Sequence, residues 1–401
     1  MSKIFHLLVG HLIDGTGGPI KRNVLLSVEE DCIRSAKEMR PEALAKVKDT
    51  AIEDLSHCTL LPGLVDAHVH LTMSGTNDMQ FRQKQLTFGY TEAAPLISKH
   101  LHQHLSHGIV AVRDGGDSNG HTLRYKLEDP LFKGYPIHLK AAGKAWHAPG
   151  RYGRLIGRTP LEGLTLAESI TQENRQSDHI KIINSGLNSL KHFGKETPPQ
   201  FHVSELKAAV QAGLEHHLKT MVHANGILPV AQALEAACHS IEHGFFMGKT
   251  NLEKMAEMGR FWVPTACTMK AYSEELPAGA QELDIARQNL EHQLDQIAYA
   301  RKTGVLLAVG TDSGGLGIHH GASIVEELKL FIAAGFSLEG VIQCCSANGS
   351  KLIGLSDVLG EIRSGAAATF VITAGPPSCL PDALNKPERV YVNGNMISGA
   401  H

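Results

Sequence analysis

Three features of the sequence predict an α/β fold, a (β/α)8 TIM-like barrel carrying a small β-sandwich formed by the N- and C-terminal segments. Between residues 60 and 357, eight short apolar runs alternate with amphipathic stretches, the pattern of βα units around a closed parallel sheet. Residues 1–59 and 358–401 instead carry short β-like pieces divided by Gly-rich and charged turns. Finally, a chain of 401 residues, 42% hydrophobic, is long enough to bury one large domain and a smaller unit.

Taken in order, Phe5 to Val9, Val24 to Val28 and Ala51 to Leu55 read as strands, and Asp14-Gly15-Thr16-Gly17-Gly18 as a turn. The eight barrel strands are read at Leu60 to His70, Ile109 to Asp114, Ile137 to Gly143, His179 to Asn184, Thr220 to Ala224, Ser240 to His243, Phe261 to Thr265 and Val305 to Thr311. Helices are expected at Val203 to Ala212, Pro229 to Ala237, Leu283 to Lys302 and Ser323 to Ala334. After Ile353 the β-like pieces return, at Thr369 to Thr373 and Arg389 to Val392, with turns at Gly375-Pro376-Pro377 and Asn393-Gly394-Asn395. The two ends are expected to pair into one composite sandwich (1–59 and 358–401) flanking a catalytic barrel (60–357). There is no fixed-period repeat and no low-complexity segment.

A net charge of −3 without a basic stripe leaves nothing to neutralise a phosphate backbone, so nucleic acid is not an expected partner. Seven cysteines without a CxxC spacing read as reduced thiols. The stretch MSKIFHLLVGHLIDGTGG is too short and too interrupted by His6, His11 and Asp14 for a signal core, and no window offers ~18 uninterrupted apolar residues. The expectation is a soluble, cytoplasmic protein with no membrane partner, acting on a small molecule and assembled as a homo-oligomer. Only a few of the 24 histidines can do chemistry. His100, His102, His104 and His107 lie on a polar, helical stretch and are read as solvated.

The strongest local signal is Pro62-Gly63-Leu64-Val65-Asp66-Ala67-His68-Val69-His70. Residues i and i+2 of a strand share a face, so His68 and His70 project side by side, where two imidazoles can hold one divalent ion. They close a strand, and active sites of βα barrels are built at the C-terminal strand ends. Three further runs close on a ligand type: Met221-Val222-His223-Ala224, Ile241-Glu242-His243-Gly244 and Val309-Gly310-Thr311-Asp312-Ser313. Neutral imidazole and carboxylate are the usual ligands of catalytic zinc. A chance HxH in a His-rich chain accounts for the first pair alone, not for four strand ends. His179 and His239 are read as packed residues without a chemical role. Lys181, within the apolar run of the fourth strand, is a costly ammonium to bury. It is either paired with an internal carboxylate, Asp312 or Asp114, or carboxylated on its amine by CO2, which presents two carbamate oxygens able to bridge ions.

These segments together resemble the amidohydrolase superfamily and, within it, the prolidase-like and Xaa-Arg/Lys carboxypeptidase-like metal-dependent hydrolases. The resemblance covers nearly the whole chain and is carried by LLPGLVDAHVHL at 60–71, GIVAVRDGG at 108–116, HIKIINSG at 179–186, MVHANG at 221–226, HSIEHG at 239–244, GTDSG at 310–314 and the closing SANGSKLIGLSDVLGEIRSGAAATFVI. It implies that His68, His70 and Asp312 hold the more buried ion, that Lys181 is carboxylated and bridges to a second, and that His223 and His243 complete the second site. The implied cofactors are therefore two divalent metal ions, zinc first among the candidates, with a carboxylated lysine at Lys181. Two ions about 3.5–4 Å apart hold a water and lower its pKa toward ~7, while one polarises the scissile carbonyl. Asp312 then takes the proton of the attacking hydroxide and delivers it to the leaving amine.

The implied reaction is cleavage of an amide, peptide-like or of an N-acyl amino acid. Related deaminases carry a glutamate shortly after the fifth-strand histidine, whereas His223 is followed by Ala224-Asn225-Gly226, which counts against a mononuclear deaminase. Lactone, ester or phosphotriester hydrolysis stays open on the same metal core, and six filled ligand positions count against a non-catalytic scaffold. The third βα loop, Lys144 to Arg154, gathers His147, Arg151 and Tyr152, and an arginine at a barrel mouth can clamp a carboxylate. With His319, these are the candidate substrate contacts. Relatives often have Gly-Gly-His in this loop, where the chain reads Gly150-Arg151-Tyr152. Near the end they often have Ala-Asp-Leu, where it reads Ala368-Thr369-Phe370.

Overall fold

The computed structural model describes residues 4–40 and 52–397. Four strands come first: β1 (Ile4–Leu12), β2 (Lys21–Glu29), β3 (Cys32–Glu38) and β4 (Ile52–Pro62). The strand expected at Ala51 to Leu55 falls in β4, with Ala51 itself outside the described residues. The barrel follows with β5 (Leu64–Val69), β6 (Ile109–Asp114), β7 (His138–Ala141), the short β8 (Ala145–Trp146) and β9 (Gly157–Arg158), β10 (His179–Ile183), β11 (Lys219–Ala224), β12 (Ser240–His243), β13 (Phe261–Val263) and β14 (Leu306–Leu307). The chain then gives β15 (Phe370–Ala374), β16 (Arg389–Val392) and β17 (Asn395–Met396).

All eight expected barrel strands are present, in two parallel runs, β5-β6-β7 and β10-β11-β12-β13-β14, with the short β8 and β9 after β7 and β8 pairing with β10. Every residue of β5, β6 and β10 is buried. Parallel strands covered on both faces demand this, which is why they read as continuous apolar runs rather than alternating ones. Helices Val203–Glu215, Ile227–Glu235, Gln281–Thr303 and Ser323–Ala333 stand where the periodicity places them. First and last strands are joined by Ala67 N–H to Val309 O (2.9 Å), Asp312 N–H to His68 O (2.7 Å) and His70 N–H to Ser313 O (2.8 Å). Between β7 and β10 the join is Asp178 N–H to Ala141 O (3.0 Å), returned by Ala141 N–H to the Asp178 carboxylate (2.8 Å).

The chain ends form a second sheet in the order β17-β16-β15-β4-β1-β2-β3. It curls on itself: Ile33 N–H bonds Ala366 O and Gly365 N–H bonds Ile33 O, both at 2.8 Å, so edge strand β3 meets the segment leading into β15. The expected sandwich is thus two halves of one sheet, closed over Leu7, Val9, Val24, Leu26, Val28, Leu60, Phe370 and Ile372. Alternate residues of β2 supply that core, Val24, Leu26 and Val28 pointing in.

Two expectations are corrected here. Leu60 to His70 is not one strand, because Leu60–Pro62 pair with β15 while Leu64 pairs with Ile109 of β6. The chain changes sheets at Gly63, where a Cβ would stand 2.5 Å from the Val110 side chain. Both halves of the run are apolar and buried, so hydrophobicity alone cannot mark the break. His100 and His104 are likewise not solvated. Helix Tyr90–Ser106 buries both beside Ile97 and Leu101, at the i, i+3 and i+4 spacing of one helix face. The His100 ring stacks on His320 at 4.0 Å and donates Nδ1–H to Leu71 O (2.8 Å), and His104 Nε2 lies 3.2 Å from His320 Nδ1. All seven cysteines are free, and among the described residues no helix is long and apolar enough to cross a membrane.

Burial, with the neighbouring His100 and His107, holds the His104 imidazole down at about 3. A depressed folded pKa means that the proton is taken up on unfolding, so this contribution to stability is complete above the unfolded value and is lost as pH falls below it. His104→Phe removes the titrating group from a space that fits a ring. It is expected to narrow the loss of unfolding free energy between pH 7 and pH 5, measured in urea, by about 2 kcal/mol. An unchanged pH dependence contradicts the neutral, buried state of this histidine.

Candidate metal centre

The first side chains of the site come from the inward face of β5 and its extension. Asp66, His68 and His70 alternate inward, and the last strand brings Asp312 beside them, with His68 Nε2 and His70 Nε2 at 3.5 and 3.4 Å from Asp312 Oδ1. Ligand atoms of these three residues all lie within 4.8 Å of one another. From β10, Lys181 places its amine 3.3 Å from His68 Nε2. The ends of β11 and β12 supply His223 and His243, whose ring centres are 4.6 Å apart, with His243 4.9 Å from His68. Asp312 and His243 adopt φ of +60° and +65°. Left-handed backbone at non-glycine residues is strained, and here it turns both side chains toward the barrel mouth. Gly115 leaves room on the opposite side, since a Cβ there would come 2.7 Å from the His70 ring.

Each imidazole has one nitrogen held by a fixed partner, and at His68 the other also meets the Lys181 amine, at 3.3 Å. His68 Nδ1 faces the Glu242 carboxylate (2.9 Å), His70 Nδ1 donates to Gly116 O (2.9 Å), His243 Nδ1 meets Thr265 Oγ1 (2.7 Å) and His223 Nε2 donates to Gly186 O (3.1 Å). Such partners fix the tautomer and leave the other nitrogen's lone pair for a cation. Burial, then the Lys181 ammonium, holds His70 down at about 4 and His223 at about 3. Burial likewise pushes His68 and His243 well below their ordinary value. All four are therefore neutral at pH 7, the form that binds metal. Burial also lowers Lys181 to about 8, opposed by the Glu242 and then the Asp312 carboxylate, and raises Asp312 to about 7, opposed by the Lys181 ammonium.

Of the two partners considered for Lys181, Asp114 is committed elsewhere, accepting Leu71 N–H and Gly116 N–H at 2.8 Å. Among the described residues no carboxylate, Asp312 included, makes an ion pair with this amine. Two residues that the sequence reading passed over support the site from below. Glu242, fully buried, bonds His68 and receives Arg113 Nη2 at 2.8 and 3.0 Å, and Arg113 also donates to Ala67 O (2.7 Å). Their signal was a lone acid and a lone base inside two apolar strand runs. His179 and His239 lie together beside Arg113, Lys140 and Lys219, apart from the cavity that His70, His223 and His243 line.

That cavity, about 160 Å³, is lined by His70, Lys181, His223, His243 and Asp312 together with Tyr152. Of the candidate substrate contacts only Tyr152 reaches it, its ring 5.5 Å from His223. His147 is buried and donates Nδ1–H to Ala148 O (2.9 Å). Arg151 spends its guanidinium on the carbonyls of Pro198 (2.8 Å) and Pro199 (3.4 Å), and His319 faces a separate cavity with Lys99 and Glu275.

A parallel barrel with neutral imidazoles and a carboxylate gathered at its strand ends defines the class of metal-dependent barrel hydrolases. The chain belongs to the amidohydrolase family, whose model matches residues 59–397. It is 23% identical to an imidazolonepropionase of Flavobacterium johnsoniae over 94% of this chain and 93% of that protein. To an ochratoxinase of Aspergillus niger it is also 23% identical, over 99% and 87%. Among solved structures, a Xaa-Pro dipeptidase with methionine bound in its active site superposes with a TM-score of 0.82 at 25% identity, covering 99% of this chain and all of that one.

Glu242→Gln keeps the shape of the side chain but strips Arg113 of its counter-charge. Unfolding in urea is expected to show a loss of about 3–5 kcal/mol, and competition with a chromogenic chelator a metal affinity lower by about 10–100-fold. Unaltered metal affinity removes Glu242 from the support of His68.

Proposed function

We propose that the protein is a binuclear metal-dependent hydrolase that cleaves an amide bond, peptide-like or of an N-acyl amino acid. The observation that carries this reading is the buried Lys181 amine, in no ion pair with a carboxylate among the described residues and set among four neutral imidazoles. The donor set fits the ions: every proposed imidazole ligand has its far nitrogen occupied, and Asp312 Oδ1 stands beside two of them. His68, His70 and Asp312 would hold one ion, His223 and His243 the other, and a carboxylated Lys181 both. Carboxylation needs the free amine, which adds CO2 and releases a proton, and burial favours that uncharged amine. When bound, the ions supply Lewis acidity at the scissile carbonyl and hydroxide at neutral pH.

The chain's own groups do the remaining work. Asp312, placed beside His68 Nε2 and His70 Nε2 at the barrel mouth, is positioned to accept a proton from the attacking water and return it to the leaving nitrogen. The Tyr152 phenol, kept protonated by burial, is available in the cavity to donate to the carbonyl oxygen as it gains charge. The absence of a carboxylate after His223, where Ala224, Asn225 and Gly226 follow, supports amide cleavage over deamination, as do relatives that include a dipeptidase.

Lys181→Ala is expected to lower metal content from two ions per chain toward one and amide hydrolysis by about 100-fold or more. Elemental analysis and a turnover assay check both. One ion per wild-type chain, or a variant that keeps its activity, defeats the bridged arrangement. Exhaustive chelation is expected to abolish turnover, and Zn, Mn or Co to restore it.

A further inference from the structure

Beyond the metal-facing residues, Leu187, Leu190, Phe245, Met269 and Ile318 give the cavity an apolar stretch of wall, and the polar groups beside it, on Tyr272, Asn188, Asn225 and Thr268, are all uncharged. Burial, with the Asp312 carboxylate nearby, raises the Tyr272 phenol above its ordinary value, so it stays un-ionised at neutral pH. Among the described residues, Lys181 is the one Lys or Arg in the lining. Two arginines near the mouth are turned onto backbone instead. Arg151 holds the Pro198 and Pro199 carbonyls, and Arg82 donates from Nη1 to Ser74 O (2.7 Å) and Gly314 O (3.1 Å). Leu187 and Phe193 are 56% and 46% exposed on the loop between β10 and helix Val203–Glu215, where Lys191 and Lys195 are also exposed but lie outside the cavity lining. Phe193 packs edge-on against Phe246 with ring centres 5.2 Å apart.

We infer that this site selects amides whose flanking group is apolar and uncharged, simple N-acyl alkyl or aryl amides, and discriminates against a free carboxylate on that group. An anionic flank gives up its hydration against Leu190, Phe245 and Met269 with no guanidinium or ammonium to replace it. A hydrocarbon flank gains by leaving water, while Tyr272 and Asn188 orient it without charge. The inference rests on the amide-hydrolase reading of the same centre. It narrows that reading, placing dipeptides and N-acyl amino acids below their uncharged counterparts as substrates.

Two matched p-nitroanilides test it on the full, metal-replete chain, one of hexanoic acid and one of adipic acid, the second ending in a free carboxylate. The neutral compound is expected to have kcat/KM higher by about 100-fold or more, and equal values or the reverse order overturn the inference. Should neither compound turn over, the amide reading fails. The selectivity is then decided by calorimetric binding of the two corresponding monohydroxamates, the neutral one expected to bind more tightly and equal or tighter binding of the acid overturning it. Leu187→Arg, on the exposed rim, adds a cation to the apolar stretch of wall. It is expected to raise kcat/KM for the adipoyl compound relative to the hexanoyl one by about fivefold, with the thermal midpoint unchanged, and a constant ratio in a folded variant counts against the proposal.

Discussion

The clasp between Asp66 and Thr311 is the contact on which the geometry of the barrel mouth depends. Asp66 Oδ1 accepts Thr311 N–H at 2.9 Å and Oδ2 accepts the Thr311 hydroxyl at 2.6 Å, tying the first strand to the last at the bottom of the site. Because strand side chains alternate, an inward Asp66 forces His68 and His70 inward as well. Because Thr311 is pinned, Asp312 follows at once in left-handed backbone, and its N–H closes on His68 O. Two imidazoles and a carboxylate thus meet through one carboxylate that touches none of them. Burial lifts Asp66 to about 7, opposed by the three donors that it accepts, so the clasp itself is held in a dry environment at some cost.

That dryness shapes the rest. An imidazolium is expensive where water is excluded, and the four candidate ligand histidines accordingly stay neutral, each held by one second partner. Three of the partners are uncharged: the Gly116 and Gly186 carbonyls and the Thr265 hydroxyl. The fourth, Glu242, is a carboxylate, and it can be there only because Arg113 reaches it from β6. A buried pair of this kind repays its desolvation only when its remaining hydrogen bonds are met. Arg113 meets them on Ala67 O and Ser240 Oγ.

What the sequence shows and what it hides follow from the range of the interaction involved. The eight barrel strands and His68, His70, His223, His243 and Asp312 were readable because each is marked locally, by an apolar run closing on a polar residue. Lys181 was readable as an anomaly, a cation in an apolar run, while its meaning came from resemblance to a family. The change of sheet at Gly63 was hidden because both sides of it are equally apolar. The burial of His100 and His104 was hidden because their partners, Leu71 O and His320, are distant in the chain. Pairing of Glu242 with Arg113 spans two strands, and composition cannot show which charges will meet. Loop residues were the hardest: Arg151 carries the chemistry of a carboxylate clamp, yet a loop's course decides where its guanidinium goes, and here it goes to two proline carbonyls. The cavity wall comes from just such places, Leu187 to Leu190 on a loop and Met269 with Tyr272 on helix Cys267–Glu275.

The sign of the charge at Lys181 decides what this arrangement can be. As an ammonium 3.3 Å from His68 Nε2, it points a positive charge at a nitrogen whose lone pair faces the centre, and a cation placed among the same ligands would meet it at close range in a low dielectric. Left so, Asp312 is the single carboxylate among the six proposed ligands, and burial pushes it above the usual carboxylate range, weakening its negative charge. Addition of CO2 replaces the ammonium by an anion on the same side chain, a change of two charge units at the middle of the cluster. In the proposed binuclear centre that anion would draw two divalent ions to the cluster, and their positive charge would keep Asp312 ionised and available to accept a proton. In the proposed centre, carboxylation of Lys181, metal loading and the working state of Asp312 would form one coupled equilibrium, set by the burial that they share.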